Sequence, residues 1–330
     1  MKHGQRLEKT FYLSDAFVRI DGSEDRLGCE LRRIVELLFG YPFHTPSFDE
    51  YAMFFAFAAA LRSADLSRQV GAVIARDDQI LATGANDCPR PMGGLYWPER
   101  DEKGCLHDFP GGRDHMRGYD SNKQEQLKII EKLAVLGEKE GLDRDILEKV
   151  LASKESPIRD LTEYGRIVHA EMDALTTCAR SHLSMSRATL YCTTFPCHNC
   201  AKHIVAAGIS RVVYIEPYEK SKAPDFHQDS IVFESENPEN EKVRFEPFVG
   251  IGPRRFFDLF SMNLASGYDV IRKDSHTGRK VEWEHKKARL RIQMLPSTYL
   301  DLELAAANLF EEHLSKKGGD DGTIDDSVRA

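Results

Sequence analysis

Between residues 170 and 217 the chain alternates twice between helical and strand periodicity, and no other feature constrains its fold as much. The helical run AEMDALTTCAR (170–180) leads to the strand-like ATLYCT (188–193). The helical NCAKHIVAAG (199–208), stopped by Gly208, leads to RVVYIEP (211–217). Repeated helix–strand units bury their apolar sides by laying helices on a partly parallel sheet, which predicts an α/β sandwich. Upstream, DEYAMFFAFAAALRSA (49–64) is apolar on nearly every side and is expected to be buried, with Ser47 or Asp49 as its cap. Val70–Ala75 and Gln79–Thr83 flank Arg76-Asp77-Asp78 and read as a β-hairpin.

Both helices of the 170–217 unit begin on residues with chemistry. His169-Ala170-Glu171 opens one, and Pro196-Cys197-His198-Asn199-Cys200 opens the other. Taken alone, the first is an ordinary helix start with Glu171 favoured by the dipole. Taken alone, the second is either a redox pair or half of a structural zinc site. Pro196 suits the first turn of a helix, and two thiols three residues apart face the same way there. Together, one imidazole and two thiolates make three ligands to zinc and leave a fourth position for water, the ligand count of a catalytic site. Glu171, two residues beyond the histidine, reaches that water without occupying the metal. The H-x-E…P-C-x-x-C pattern is the signature of zinc nucleobase deaminases, with the glutamate as general acid and base.

The rest of the sequence bounds this reading. The chain has 330 residues, 41% hydrophobic and 30% charged, the profile of a soluble globular protein of one large or two small domains. A net charge of −8 without a basic stripe counts against a broad nucleic-acid footprint. No apolar run reaches the ~20 residues of a membrane span, and MKHGQRLEKTFYLSD lacks the apolar region of a signal peptide. Seven cysteines without a secretory signal point to metal binding or free thiols, and the expected location is cytoplasmic. Residues 1–45 form an N-terminal segment with an amphipathic helix near Leu27–Phe39. Residues 46–220 are expected to form the chemical domain, with an insertion at about 87–164, and residues 221–330 an extension whose tail is expected to be disordered. The insertion starts with a Gly-, Pro- and aromatic-rich loop and continues into two helices broken at Gly141.

The stretches SADLSRQVGAVIARDDQILATGAND (63–87), HAEMDAL (169–175) and TLYCTTFPCHNCAKHIVAAGISRVVYIEPY (189–218) resemble the deoxycytidylate deaminase branch of the cytidine deaminase superfamily. DEYAMFFAFAAALRSADLSRQVGAVI, GGLYW (93–97) and GYDSN (118–122) resemble, more narrowly, bacterial antiphage dCTP/dCMP deaminases. The resemblance implies a three-layer α/β/α fold and one Zn²⁺ on His169, Cys197 and Cys200. It also implies hydrolytic deamination of dCMP or dCTP with Glu171 as proton carrier, and depletion of cytosine nucleotides in antiphage defence. A homo-oligomer and a regulatory RNA or protein inhibitor belong to the same family picture. Those relatives often carry an N-terminal P-loop kinase-like domain. Here no G-x-x-x-x-G-K-[ST] occurs, so residues 1–45 are expected to be its remnant. The family's G-Y-N-G-x-P allosteric stretch reads GANDCP, so nucleotide control is not carried over.

By the same resemblance Asn86 would contact the sugar and base, and the backbone at Ala72 the pyrimidine. Among the arginines, Arg68, Arg113 and Arg117 are the candidates for phosphate, suited to bidentate contacts, and Trp97 for stacking on the base. The loop residues around GGLYWPER and GGRDHMRGYDSN are expected to close as a lid. Cys88, Cys105, His107 and His115 offer a second, structural zinc site. Cys29, Cys178 and Cys192 read as small buried residues. Two competing functions remain: a tRNA or single-stranded DNA editing deaminase, and a non-catalytic zinc-stabilised regulatory protein.

Overall fold

The computed structural model describes residues 10–20, 24–153, 155–233, 241–265, 267–292 and 299–318. The main elements, in order, are α1 (Glu24–Leu38), α2 (Phe48–Ala60), β1 (Gly71–Arg76), β2 (Gln79–Ala85), α3 (Ser121–Lys139), α4 (Arg144–Leu151) and α5 (Ala170–Arg180). They continue with β3 (Thr189–Thr194), α6 (His198–Ala206), β4 (Arg211–Glu216), β5 (Ile231–Phe233) and β6 (Val243–Pro247). Ser47 starts α2 with a full capping box: its hydroxyl accepts from the Glu50 amide at 3.2 Å, and the Glu50 carboxylate accepts from the Ser47 amide at 2.6 Å. Asp77 and Asp78 both adopt positive φ, 53° and 55°, the backbone of a two-residue type I′ turn, and this closes the expected hairpin.

One six-stranded sheet runs in the order β2-β1-β3-β4-β6-β5. The hairpin and the β1–β3 pair are antiparallel, and all later pairs are parallel. Successive residues of β1 point to opposite faces. Val73 and Ala75 pack with Ala52, Met53 and Ala56 of α2. Ala72 and Ile74 pack on the other side with Ala170 and Ala174 of α5 and Ala201 and Ile204 of α6. The fold is therefore the expected three-layer α/β/α sandwich. Two glycines set the layer spacing. A Cβ on Gly71 would lie 1.8 Å from the Ala56 carbonyl of α2, and one on Gly84 would lie 2.1 Å from the Ala170 carbonyl of α5. Helix backbone thus rests directly on strand backbone at both faces.

The sheet does not end near residue 220. The segment expected to be an extension supplies β5 and β6, and β6 pairs with β4 while Val243 and Phe245 enter the core. An early and a late segment also meet: Ala16 and Phe17 pair antiparallel with Ile251 and Gly250. Glu50 ties this junction together. Its carboxylate, 1% exposed, accepts from Arg33 at 2.7 and 2.8 Å and from the Ile251 amide at 2.8 Å. The segment PRRFFDLFSM forms a short helix, Phe256–Phe260, and a longer helix spans Tyr299–Gly318. The tail expected to be disordered lies, from residue 319, outside the described residues. No described helix is long and apolar enough to cross a membrane.

Candidate active site

The sheet brings the two helix starts together. β3 and β4 are parallel, and α6 begins directly past the end of β3. α5 begins where Gly84 lets it touch β2. His169 and Cys197 are the N-cap residues of α5 and α6, with extended ψ of 152° and 163°. Neither side chain is used for capping, so both are free for other bonds. His169 Nδ1 lies 3.4 Å from Cys197 Sγ and 3.3 Å from Cys200 Sγ, and all three donor atoms are within 4.8 Å of one another. Bonds of about 2.0 Å to nitrogen and 2.3 Å to sulfur around a tetrahedral ion make edges of roughly 3.5 Å, so the donors fit zinc. The charges agree. The hydrogen bond that its ring donates to Cys197 lifts His169 to about 9, against the burial that opposes it. The Cys200 hydrogen bond, with help from His169, draws Cys197 down to about 4. The negative charge that holds a proton on His169 also attracts a cation, and zinc would bind by displacing that proton.

Glu171 sits in the first turn of α5, 4% exposed. Burial pushes its carboxyl above the ordinary value, and the neighbouring His169 opposes this. It opens onto a cleft of about 720 Å³ that also contains His169 and Cys197. Beside them, His198 presents a ring whose Nδ1 is buried and has no hydrogen-bond partner among the described residues. The cleft wall further includes Asp65, Arg68 and Asn86 from the hairpin side, Arg159 from the end of the insertion, and Lys220 and Lys222 from the loop after β4.

Several residues singled out by sequence stand elsewhere. Ala72 is fully buried in the sheet, paired with Gly84 and Cys192, and does not reach the cleft; Val70 lines it instead. Asn86 lines the cleft, but its amide is spent within the protein. Its oxygen accepts from the Val70 amide at 2.6 Å, and its nitrogen donates to Asp65 at 2.7 Å and to the Arg68 carbonyl at 2.8 Å. It shapes the wall from which Arg68 projects. Arg113 is 4% exposed and fixed by Asp108 at 2.9 Å, Asp87 at 3.1 Å and the Tyr96 carbonyl at 2.7 Å. A guanidinium so enclosed does not serve a phosphate. Arg117 donates to the Gly111 carbonyl, and Trp97 lies under the Arg62 guanidinium at 3.8 Å; neither lines the cleft. The aromatic part of the insertion packs on itself, with Tyr96 stacked on Phe109. Its end, not the expected lid, reaches the cleft.

Of the expected group, Arg68 alone among the arginines lines the cleft, with its guanidinium over Tyr218 at 5.3 Å. Arg159, Lys220 and Lys222 were not foreseen, because nothing local distinguishes them from other surface cations. The second cysteine–histidine group is not assembled: among the described residues the metal-ligating types gather only at His169, Cys197 and Cys200. Cys88 is buried and donates to Asp114, whereas Cys105 is exposed. Cys178 and Cys192 are buried as expected, but Cys29 is exposed on α1.

Residues 46–216 match the family model described as the cytidine and deoxycytidylate deaminase zinc-binding region. The deoxycytidylate deaminase of Enterobacteria phage T4 is 32% identical over 168 residues, which are 51% of this chain and 77% of that protein. The deoxycytidylate deaminase of Mycobacterium phage D29 is 31% identical over 169 residues, 51% of this chain and 94% of that protein. A solved dCMP deaminase of the cyanophage S-TIM5 is 19% identical, covers 62% of this chain and 100% of its own, and aligns with a TM-score of only 0.33, so the relationship rests on the sequence matches. On those matches, the chain belongs to the cytidine and deoxycytidylate deaminase family, whose enzymes are zinc-dependent.

Proposed function

We propose that this protein hydrolyses the exocyclic amine of a cytosine deoxynucleotide, dCMP or dCTP, to the deoxyuridine nucleotide and ammonia. The observation that carries the proposal is one cleft holding three things: the His169–Cys197–Cys200 donors, the buried Glu171 carboxylate, and cations from three separate segments. The phage relatives named deoxycytidylate deaminase support the same substrate class.

His169, Cys197 and Cys200 would hold zinc, which supplies a water acidified towards neutral pH. Glu171 takes one proton from that water and holds it at its carboxylate, ready for N3 of the pyrimidine. It delivers that proton to N3 as the water oxygen bonds to C4, then takes the remaining proton from that oxygen and passes it to the amine, so that the C4–N bond breaks, the C4 carbonyl forms and ammonia leaves. Burial favours this role, because a carboxyl raised above its ordinary value is a stronger base, better able to take a proton from water and hold it until the substrate accepts it. Asn86 and Asp65 hold the wall that carries Arg68, and Arg68, Arg159, Lys220 and Lys222 attract the phosphate.

The experiment is ammonia release from deoxycytidine, dCMP, dCTP and a cytosine-containing single strand. Turnover of the free nucleotides, lost in Glu171→Ala, supports the proposal. Turnover of the single strand alone would instead favour the editing reading, against which the net charge of −8 counts. Depletion of cytosine nucleotides during phage infection, a homo-oligomer, and a regulatory RNA or protein inhibitor complete the reading by family resemblance. Phage plating with the Glu171→Ala variant, and solution mass with and without cellular RNA, test them.

A further inference from the structure

Asp160 and Lys220 are 60 residues apart in the chain, and their side chains meet at 2.6 Å. Asp160 ends the short helix Pro157–Asp160 on the last stretch of the insertion, and Lys220 follows β4. Both line the cleft that holds the metal donors and Glu171, so this ion pair joins its two banks. Of the neighbouring cations, Lys222 also has a carboxylate within reach, Asp225 of its own segment at 3.7 Å. Arg159 and Arg68 line the same cleft, and neither has a salt bridge to a carboxylate among the described residues. Lys220 already carries its anion.

A purely structural explanation of the pair is weak. Each side chain is 59% exposed, and exposed ion pairs contribute little to folding. A carboxylate seated on a lysine at the edge of an anion-attracting cleft has another consequence. It takes a place that a phosphate oxygen of the ligand would take, and its own charge repels the phosphate at short range. We infer that Asp160 is a specificity-determining residue, a built-in counter-ion on Lys220 that the phosphate of an incoming nucleotide displaces. It would thereby set how strongly the site discriminates by phosphate charge. The inference rests on the deaminase reading for its substrate, and on the Asp160–Lys220 geometry for its residue.

The test compares the wild type with Asp160→Asn and Lys220→Gln on deoxycytidine, dCMP and dCTP, at low and physiological ionic strength. In Asp160→Asn the ratio of the deoxycytidine KM to the dCMP KM should rise about two- to five-fold, the size expected of an exposed ion pair. The rise should be larger for dCTP, and it should shrink as salt is added. Lys220→Gln should move the ratio the opposite way. A purely structural role would move nucleoside and nucleotide alike. An Asp160→Asn ratio equal to that of wild type, or lower, would overturn the inference. Calorimetric binding of dUMP gives a readout independent of turnover. If the wild type deaminates nothing, the deaminase reading fails, but tighter dUMP binding by Asp160→Asn still upholds the counter-ion and unchanged binding overturns it.

Discussion

Asp87 and Val168 exchange a pair of backbone hydrogen bonds, 3.3 and 3.0 Å, so the long insertion closes at its root one residue before His169. Arg113 fastens that root from inside the insertion. Its guanidinium lies 3.1 Å from the Asp87 carboxylate, and the two side chains are 5% and 1% exposed. The insertion is thereby connected through backbone to His169, the proposed metal ligand, and Arg113 braces that root.

Arg113→Ala should therefore destabilise the protein by about 3–5 kcal/mol, the cost of leaving a buried charge without its partner. Denaturant unfolding measures it. The preference for nucleotide over nucleoside should stay close to that of wild type in whatever protein remains folded. A stable variant with a selective loss of nucleotide turnover would return Arg113 to the phosphate.

Gly84 makes a second test of how the site is held. A Cβ there would lie 2.1 Å from the Ala170 carbonyl and 2.6 Å from the Ala174 amide, both backbone atoms of α5. Gly84→Ala must shift the start of α5, and with it His169, relative to the two cysteines. Overpacking of this kind costs about 1–3 kcal/mol or more, and zinc content per folded chain should fall with it. Gly28, within α1, has nothing within 4 Å of its Cβ position. Gly28→Ala should stabilise by about 0.5–1 kcal/mol and leave zinc content unchanged.

The metal donors and Glu171 were legible because their chemistry is local: three ligand types at fixed offsets from two helix starts. The strands around them were legible because both faces are buried, as in ATLYCT. The arginines were not. Arg68, Arg113 and Arg117 share the same side chain and similar polar surroundings in sequence, and only tertiary partners decide that one faces the cleft and another faces Asp87. β5 and β6 were missed because one has three residues and the other carries Arg244 and Glu246, so their apolar signal is a few alternating positions. Asn86 shows a subtler limit. Its place beside the site was readable, but its use as a bracket for Asp65, Arg68 and Val70 depends on distances that no spacing encodes.

On the α2 side of the sheet, Asp49 accepts hydrogen bonds from Arg211 at 2.9 and 2.6 Å and from Tyr191 at 2.6 Å. Burial works to raise its carboxyl, but the Arg211 hydrogen bonds and charge outweigh it and hold it below the ordinary value of 3.8. A carboxyl depressed in the folded state stabilises fully above its unfolded pKa, and that stability is lost as pH falls through the folded value. Asp49→Asn should thus unfold at lower denaturant than wild type at pH 7. The gap between the two proteins should narrow below about pH 4, where protonation takes the same interaction from the wild type. A gap that is constant from pH 7 to pH 3 would show that the Arg211 charge does not act through Asp49.

Metal removal separates the ligands from the proton carrier. Elemental analysis should find one zinc per chain, since the described residues bring metal-ligating types together only at His169, Cys197 and Cys200. Cys197→Ser and His169→Ala each remove one of three donors, so each should lose zinc and turnover together, and chelation of the wild type should do the same until zinc is restored. Cys105→Ser should keep its zinc, because that side chain is exposed and away from the cluster. Glu171→Ala should also keep it, yet lose turnover by at least roughly 10²-fold, the usual worth of a positioned acid–base group. Its carboxylate is buried beside the donors without being one of them. Zinc lost from Glu171→Ala along with activity would make Glu171 a ligand or a support of the ligands. Zinc retained with full turnover would place the proton carrier elsewhere in the cleft, with His198, whose Nδ1 is buried and unpartnered, as the first residue to replace.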